Sequence, residues 1–285
     1  MGSASVSVLI RAYNAGSTLE EAVASIYKQS YKGKIELVIC YDKGSSDNTY
    51  NVINKIINKY KSSSVNIKVI EHEHVTPFHA LLLCLKNASG KIVTILDYDN
   101  IYPSTYIENI LRYTESTHGN FFYSNTIIFS KENNKITIVD NIFPDKLKKT
   151  SLFFINYIDA NSIILTRDCV VTLLKFLEKI SSHRYFEHIH EDYLIVLLAF
   201  HICQPVYIPS VFVLYRIHGT NLTGFGHGDS YKLLFSAERS IKTYLAFNYI
   251  YGKYLTLFEK LLLYSSILLR LIRYAFISFK LYFLN

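Results

Sequence analysis

The chain of 285 residues has no tryptophan and one methionine, and it is short of proline (5), glycine (11) and cysteine (4). The missing Trp and Met, beside abundant Tyr, Ile and Lys, reflect a composition bias and exclude no chemistry. So few Pro and Gly exclude a fibrous or linker-like protein. Charge is also scarce: 19% charged residues against 50% hydrophobic ones exclude a disordered chain. Acidic residues are the minority, 23 against 30 Lys and Arg, for a formal net charge of +7. That balance suits phosphates, nucleic acid or an anionic membrane. Because no RNA- or DNA-recognition motif accompanies it, no nucleic-acid partner is expected.

A long uninterrupted apolar run is missing as well. A transmembrane helix needs roughly 20 apolar residues in succession. The most apolar region, the C-terminus, is broken by Arg270, Arg273 and Lys280, so no membrane span is expected. The N-terminus lacks a basic segment followed by an apolar one, so no secretory leader is expected either. Cys40, Cys84, Cys169 and Cys203 are far apart and none is spaced like a zinc knuckle or redox dithiol. They read as buried free thiols, which fits a reducing, cytoplasmic compartment. Glu71-His72-Glu73-His74 and the trio His183, His188 and His190 have no zinc-protease spacing, and no zinc centre is expected.

What is present is a regular alternation of periods. Val6–Ile10, Ile35–Cys40, Val65–Ile70 and Lys91–Leu96 are short β-branched apolar runs that read as buried strands. Between them lie amphipathic helical patterns. One starts at Ser17-Thr18-Leu19-Glu20, which has the form of a capping box. A second runs through Val52, Ile53, Ile56 and Tyr60, and a third starts at Pro77. A βαβαβαβ order implies a parallel sheet with helices on both faces. Ligands bind such sheets outside the carboxyl ends of the strands, so the polar stretches after the first, second and fourth strands should converge on one crevice. Further on, strands are expected at Asn120–Phe129, Lys135–Asp140, Asn161–Leu165, Val206–Ile208 and Val211–Tyr215. Helices are expected at Pro103–Thr114, Arg167–Lys179 and His188–Phe200. Gly219–Gly228 reads as a loop, with a lid and a plain connector both open. The end is helical in two segments broken near Gly252.

The sharpest local signal is Asp97-Tyr98-Asp99 at the end of the fourth strand. In an extended strand the two carboxylates point the same way. Convergent carboxylates repel unless a cation or hydroxyl sits between them, and oxygen ligands select Mg²⁺ or Mn²⁺. Glu191-Asp192 is a second acidic pair, at the start of a helix, where complementing the helix dipole is the plain alternative.

Together these segments resemble a known family. Val8-Leu9-Ile10-Arg11-Ala12-Tyr13-Asn14, then Tyr41-Asp42-Lys43-Gly44-Ser45-Ser46-Asp47-Asn48-Thr49, then Asp97-Tyr98-Asp99 are similar to glycosyltransferase family 2. His190-Glu191-Asp192-Tyr193 and Tyr215-Arg216-Ile217-His218-Gly219-Thr220-Asn221 resemble its acceptor-side motifs. The resemblance implies a GT-A fold: α/β, a Rossmann-like mostly parallel sheet with helices on both faces, here with a C-terminal helical extension. It divides the chain into a nucleotide-sugar-binding half (1–100), an acceptor-binding half (101–228) and the extension (229–285).

It also implies roles. Arg11, Ala12, Tyr13, Asn14, Asp42, Lys43, Asp97 and Tyr98 would bind the nucleotide sugar, with Asp42 on the base. Asp99, Asp97 and His218 would hold Mn²⁺ or Mg²⁺ against the diphosphate. Asp192 would be the catalytic base, with Glu191 orienting the acceptor. One base and no enzyme nucleophile implies displacement with inversion. The implied partners are a nucleotide diphosphate sugar, UDP-linked by preference, and a glycan or lipid-linked acceptor. Several residues depart from the family pattern. Arg11 stands where Pro is common, Lys43 where a second Asp is usual, Leu81-Leu82 where Arg-Asn is frequent, and Asn100 where a further Asp occurs. The donor crevice should therefore be more positive, which suits a diphosphate. A nucleotidyltransferase on a similar sheet, or a non-catalytic nucleotide- or membrane-binding module, are the alternative readings.

From Tyr231 onward Lys232, Arg239, Lys242, Lys253, Lys260, Arg270, Arg273 and Lys280 face only Glu238 and Glu259. Leu255, Phe258, Leu262, Ile267, Leu271, Phe276, Phe279 and Phe283 supply a wide apolar face. Such a face suits an anionic membrane surface, and equally a homodimer interface or core packing. The location expected is cytoplasmic, peripheral at the inner face of the cell membrane.

Overall fold

The computed structural model describes residues 5–60, 64–132, 135–139, 147–217 and 230–283. Four parallel strands form its centre: β1 (Val6–Ala12), β2 (Ile35–Asp42), β3 (Val65–His72) and β4 (Ile92–Ile95), side by side in the order β3-β2-β1-β4. Every residue of β2 and β4, and all of β1 but Arg11, is buried. That explains why they read as continuous apolar runs rather than alternating ones. Alternate residues serve opposite cores. Leu9 and Val38 pack with α3 (Pro77–Asn87), α5 (Arg167–Leu177) and α6 (Glu191–Ile202). Val8 and Ile10 pack with α1 (Leu19–Tyr27), α2 (Thr49–Lys59) and α4 (Tyr106–Ser116).

The sheet continues without a break into the second half. β7 (Ile163–Thr166) is antiparallel to β4 and to β5 (Phe121–Glu132). β6 (Lys135–Val139) borders β5, and β8 (Pro205–Ile217) runs parallel to it. The strands expected at 206–208 and 211–215 are this one strand β8, whose register shifts opposite Ser124/Asn125. Pro209, which has no N–H to give a ladder, sits at that shift. α7 (Ser230–Tyr251) and α8 (Leu257–Phe283) are separated by a 3₁₀ turn at Gly252–Tyr254.

Three local expectations are corrected. Thr18 is the cap of α1 but makes no side-chain cap bond, so the capping box does not form. Instead the carbonyl of Ala15 accepts the Thr18 and Leu19 amides at 3.2 and 3.0 Å. Cys169 and Cys203 form a disulfide, and only Cys40 and Cys84 are free, both buried. Packing of α5 on α6 brings Cys169 to the end of α6, an approach that a separation of 34 residues does not announce. The compartment inferred from four free thiols loses that support. Finally, Leu257–Phe279 is long and apolar enough to cross a membrane, with a mean hydropathy of 1.5 and only 17% burial. Arg270 and Arg273 lie within that stretch.

Candidate active site

The loop after β1 is built first. Asn14 has φ 48°, a left-handed conformation that Asn tolerates better than most residues. Its Oδ1 accepts the Ser46 amide at 2.8 Å, and its own amide donates to Ser45 Oγ at 3.2 Å. Asp47 Oδ2 accepts the Gly16 amide at 2.8 Å, and Thr49 Oγ1 accepts the Ala15 amide at 2.7 Å. Asp47 Oδ1 in turn takes the amide and hydroxyl of Thr49. The motif Ser45-Ser46-Asp47-Asn48-Thr49 thus fastens the loop after β1 to the loop after β2. Asp47→Ala would leave two amides without acceptors and should cost about 1–3 kcal/mol each where they are shielded from water. A fall in melting temperature checks it; an unchanged Tm would mean these bonds are replaced by water.

The ends of β1 and β2, Tyr13 just after β1 and the turn after β4 line one cleft of ≈ 690 Å³ at the carboxyl ends of the parallel strands. Of the residues expected to bind nucleotide sugar, Arg11, Ala12, Tyr13, Asp42, Asp97 and Tyr98 line it. Asn14 and Lys43 do not. Asn14 is spent on the loop, and Lys43 pairs with Glu73. Asp42 is buried and already oriented: its Oδ1 accepts the Gly44 amide at 2.8 Å, and its Oδ2 lies 2.9 Å from His74 Nδ1. The rings of Tyr13 and His74 are tilted 5.0 Å apart beside it.

Asp97 and Asp99 both reach the cleft, but by a turn and not by strand alternation. β4 stops at Ile95, and the Asn100 amide donates to the Asp97 carbonyl at 3.1 Å. Asp97 accepts from Arg11 Nη2 at 2.8 Å and from Asn161 Nδ2 at 3.1 Å. Asn161 is held by Asp159, whose carboxyl is pushed up to about 7 by burial and by the charge of Asp97. Arg216 from β8 pins the turn: its Nε donates to the Asp99 carbonyl and its amide to Asn100 Oδ1, each at 2.8 Å. Its Nη2 meets Glu21 at 2.6 Å. Buried Asn100 is therefore a structural bracket. Burial, with Asp99 and Asp97 nearby, raises the Tyr98 hydroxyl.

Glu191 and Asp192 open α6 on the opposite wall. Glu191 sits between Arg11 Nη1 and Arg239 Nη2, the latter at 3.2 Å. Burial would raise its pKa, but the two guanidiniums outweigh it and keep the carboxylate ionised. For Arg11 burial opposes charge, and Asp97 and Glu191 overcome it. Asp192 is pushed up to about 6 by burial and by the neighbouring Glu191. His190, which lines the cleft with His188, is pushed down to about 4 by burial and by Arg239, so it is neutral. Sequence reasoning missed Asp159, Asn161 and Arg239. Asp159 lies in an irregular segment, Asn161 heads the strand expected at Asn161–Leu165 but sits in a 3₁₀ turn ahead of β7, and Arg239 lies in the extension. His218 and the loop 224–228 fall outside the described residues.

Among the described residues no three His, Cys, Asp or Glu cluster as a metal cage. The donor set still fits a hard divalent ion. Such ions are commonly held by one or two carboxylates, with water and substrate phosphates completing the shell. Asp97 and Asp99 both face the cleft and are the carboxylates that could hold one.

A model of glycosyl transferase family 2 matches residues 7–180. The chain is 32% identical over 165 residues to the UDP-Glc:alpha-D-GlcNAc-diphosphoundecaprenol beta-1,3-glucosyltransferase WfaP of Escherichia coli, covering 57% of this chain and 61% of that one. It is 26% identical over 163 residues to WfgD of the same organism, which has the same activity name, covering 57% and 60%. The chain thus spans about 60% of the length of these relatives. In fold it is similar to S. aureus TarS, solved with UDP-GlcNAc, at a TM-score of 0.56 and 14% identity over 92% of this chain and 79% of that one. It is also similar to the mannosyltransferase PcManGT from Pyrobaculum calidifontis, solved with GDP-Man and Mn²⁺, at 0.59 and 16% over 96% and 76%.

Proposed function

The chain belongs to glycosyl transferase family 2, and on that premise we propose that it moves a sugar, with inversion, from a nucleotide diphosphate sugar to a hydroxyl of a glycan or lipid-linked glycan. One observation carries the reading: a single cleft gathers Asp42, Asp97-Tyr98-Asp99 and the elevated carboxyl of Asp192. Tyr13 and Asp42 receive the nucleoside, with Asp42 accepting from the base. Arg11 holds Asp97 toward the ribose and adds positive charge near the diphosphate. Asp99, assisted by Asp97 and His218, would hold a divalent cation, Mn²⁺ or Mg²⁺, which would supply Lewis-acid neutralisation of the charge on the departing nucleotide. Asp192 takes the proton from the acceptor hydroxyl as that oxygen attacks the anomeric carbon. Glu191, already neutralised by two arginines, orients the site and does not act as the base.

The UDP preference is supported by the UDP-Glc relatives and by the UDP-GlcNAc complex of TarS. The undecaprenol-linked acceptors of those relatives support a lipid-linked acceptor here, reached from the inner face of the membrane through the apolar face of α8. Ligand that binds only the folded state stabilises it, by about 2.7 kcal/mol at 100 times Kd. UDP with Mn²⁺ should therefore raise the melting temperature more than UDP alone, and Asp99→Ala should remove the metal-dependent part. A panel of UDP, GDP and other nucleotides showing no metal-linked shift would sink the reading.

A further inference from the structure

One face of α7 grips the entry of α6. Arg239 Nε and Nη2 donate to the Ile189 carbonyl at 3.2 and 2.8 Å, while Nη2 also meets Glu191 Oε2. Thr243 Oγ1 accepts the His190 amide at 2.8 Å, and the Ser236 carbonyl lies 3.3 Å from His190 Nε2. Positions 236, 239 and 243 repeat at helical spacing and share that face. The other oxygen of Glu191 is taken by Arg11, which also holds Asp97 at 2.8 Å. The Arg11, Glu191 and Arg239 side chains are only 17%, 8% and 12% exposed.

Stability does not account for this triad. Taking an Arg–Glu–Arg cluster out of water is costly, and apolar side chains of similar volume usually serve a core as well or better. What the triad does is fix one carboxylate from two sides, on the wall of the cleft, one residue before Asp192. The turn it fixes is the first of α6, and that turn sets the direction of the Asp192 carboxylate.

We propose that Arg239 is a positioning residue: from α7 it clamps Glu191 and the Ile189–Glu191 segment, and so aims Asp192 at the acceptor hydroxyl. This makes α7 part of the catalytic unit and not an appendage to it. Arg11 is the other jaw of the clamp and joins the donor-side Asp97 to the acceptor-side Glu191. The inference rests on Asp192 being the base.

Arg239→Met and Arg239→Lys in the full chain test it. A misplaced catalytic group costs on the order of 10²-fold, so kcat of Arg239→Met should fall by about that much. KM for the donor and the nucleotide-induced rise in Tm should stay within about twofold, because only transition-state alignment is lost. The groups facing Asp192 are Glu191, Arg11, Arg239 and Asp159. Removing one of the two cations leaves the charge of Glu191 less opposed, so the acid limb of the rate profile should move to higher pH. Arg239→Lys keeps the charge but not the fork that reaches both Ile189 and Glu191. It should hold the limb in place while kcat falls by roughly tenfold. Wild-type kcat and an unmoved limb in Arg239→Met overturn the inference. If that variant does not fold, wild-type kcat in Arg239→Lys overturns it. Failure of the unaltered chain to transfer sugar would sink the reading of the base instead, so the two failures are distinct.

Discussion

Asp192→Asn is expected to keep nucleotide binding and lose transfer. Asn is nearly isosteric with Asp, so the cleft and its donor contacts remain. The lost proton acceptor is worth about 10²–10⁴-fold in rate. The upper end applies here, because the other carboxylates are engaged: Glu191 by Arg11 and Arg239, Asp97 by Arg11 and Asn161. The pH dependence has a definite sign. Asp192 must be ionised to accept a proton, and burial beside Glu191 pushes its pKa up to about 6. Transfer should therefore be suppressed below about pH 6, rise through it and level off above, whereas an exposed Asp would place the limb near 4. Steady-state transfer from pH 4.5 to 8.5, with nucleotide binding followed in parallel, checks both points. Asp192→Asn that still transfers at a comparable rate would show that another group is the base.

The parallel half of the fold was legible because its strands are buried on both faces and its helices on one. That contrast appears in sequence as apolar runs alternating with amphipathic periods. Convergence of the ends of β1 and β2 with the turn after β4 followed from topology alone. The finer division of labour did not. Ser45 to Thr49 is the most family-specific stretch, yet the side chains of Ser45, Asp47 and Thr49 bind backbone amides of the preceding loop and do not line the cleft. A motif marks a required geometry without saying which atoms use it. Arg11 was visible as a departure, and its two carboxylate partners explain how a charge is kept in a buried strand. Asn161 and Arg239 gave no signal because their bonds to Asp97 and Glu191 span 64 and 48 residues, which no local period encodes, and Asp159 acts only by holding Asn161. The Cys169–Cys203 disulfide was missed for the same reason.

Ile272→Glu combined with Phe276→Glu is expected to release the protein from anionic vesicles. Leu268, Ile272, Phe276 and Phe279 recur at helical spacing along α8 and are 58%, 58%, 70% and 57% exposed. On the reverse side Leu263, Ser266, Ile267 and Ile277 are buried. The helix is thus seated on the core by one face and exposes a second apolar face through Leu268, Ile272 and Phe276. Apolar patches that large and continuous are rare on monomers that stay in water. The charges sort by face as well. Arg270 is not one of the lipid-facing cations that composition suggested. Its guanidinium turns inward to the Phe154 carbonyl and lies over the Tyr244 ring at 4.5 Å. Arg273 is exposed and free to meet lipid headgroups. A carboxylate placed in the hydrocarbon costs about 2.5–3.5 kcal/mol at the bilayer centre and less toward the interface. Two of them should therefore lower vesicle partitioning by roughly 10³-fold, a tenfold loss per 1.4 kcal/mol. Flotation with anionic liposomes measures it, and raised salt should weaken binding of the unaltered chain through the exposed cations. Equal flotation of both forms would remove the lipid reading. If the unaltered chain does not float but is a dimer that the two glutamates split, the apolar face of α8 belongs to a second copy.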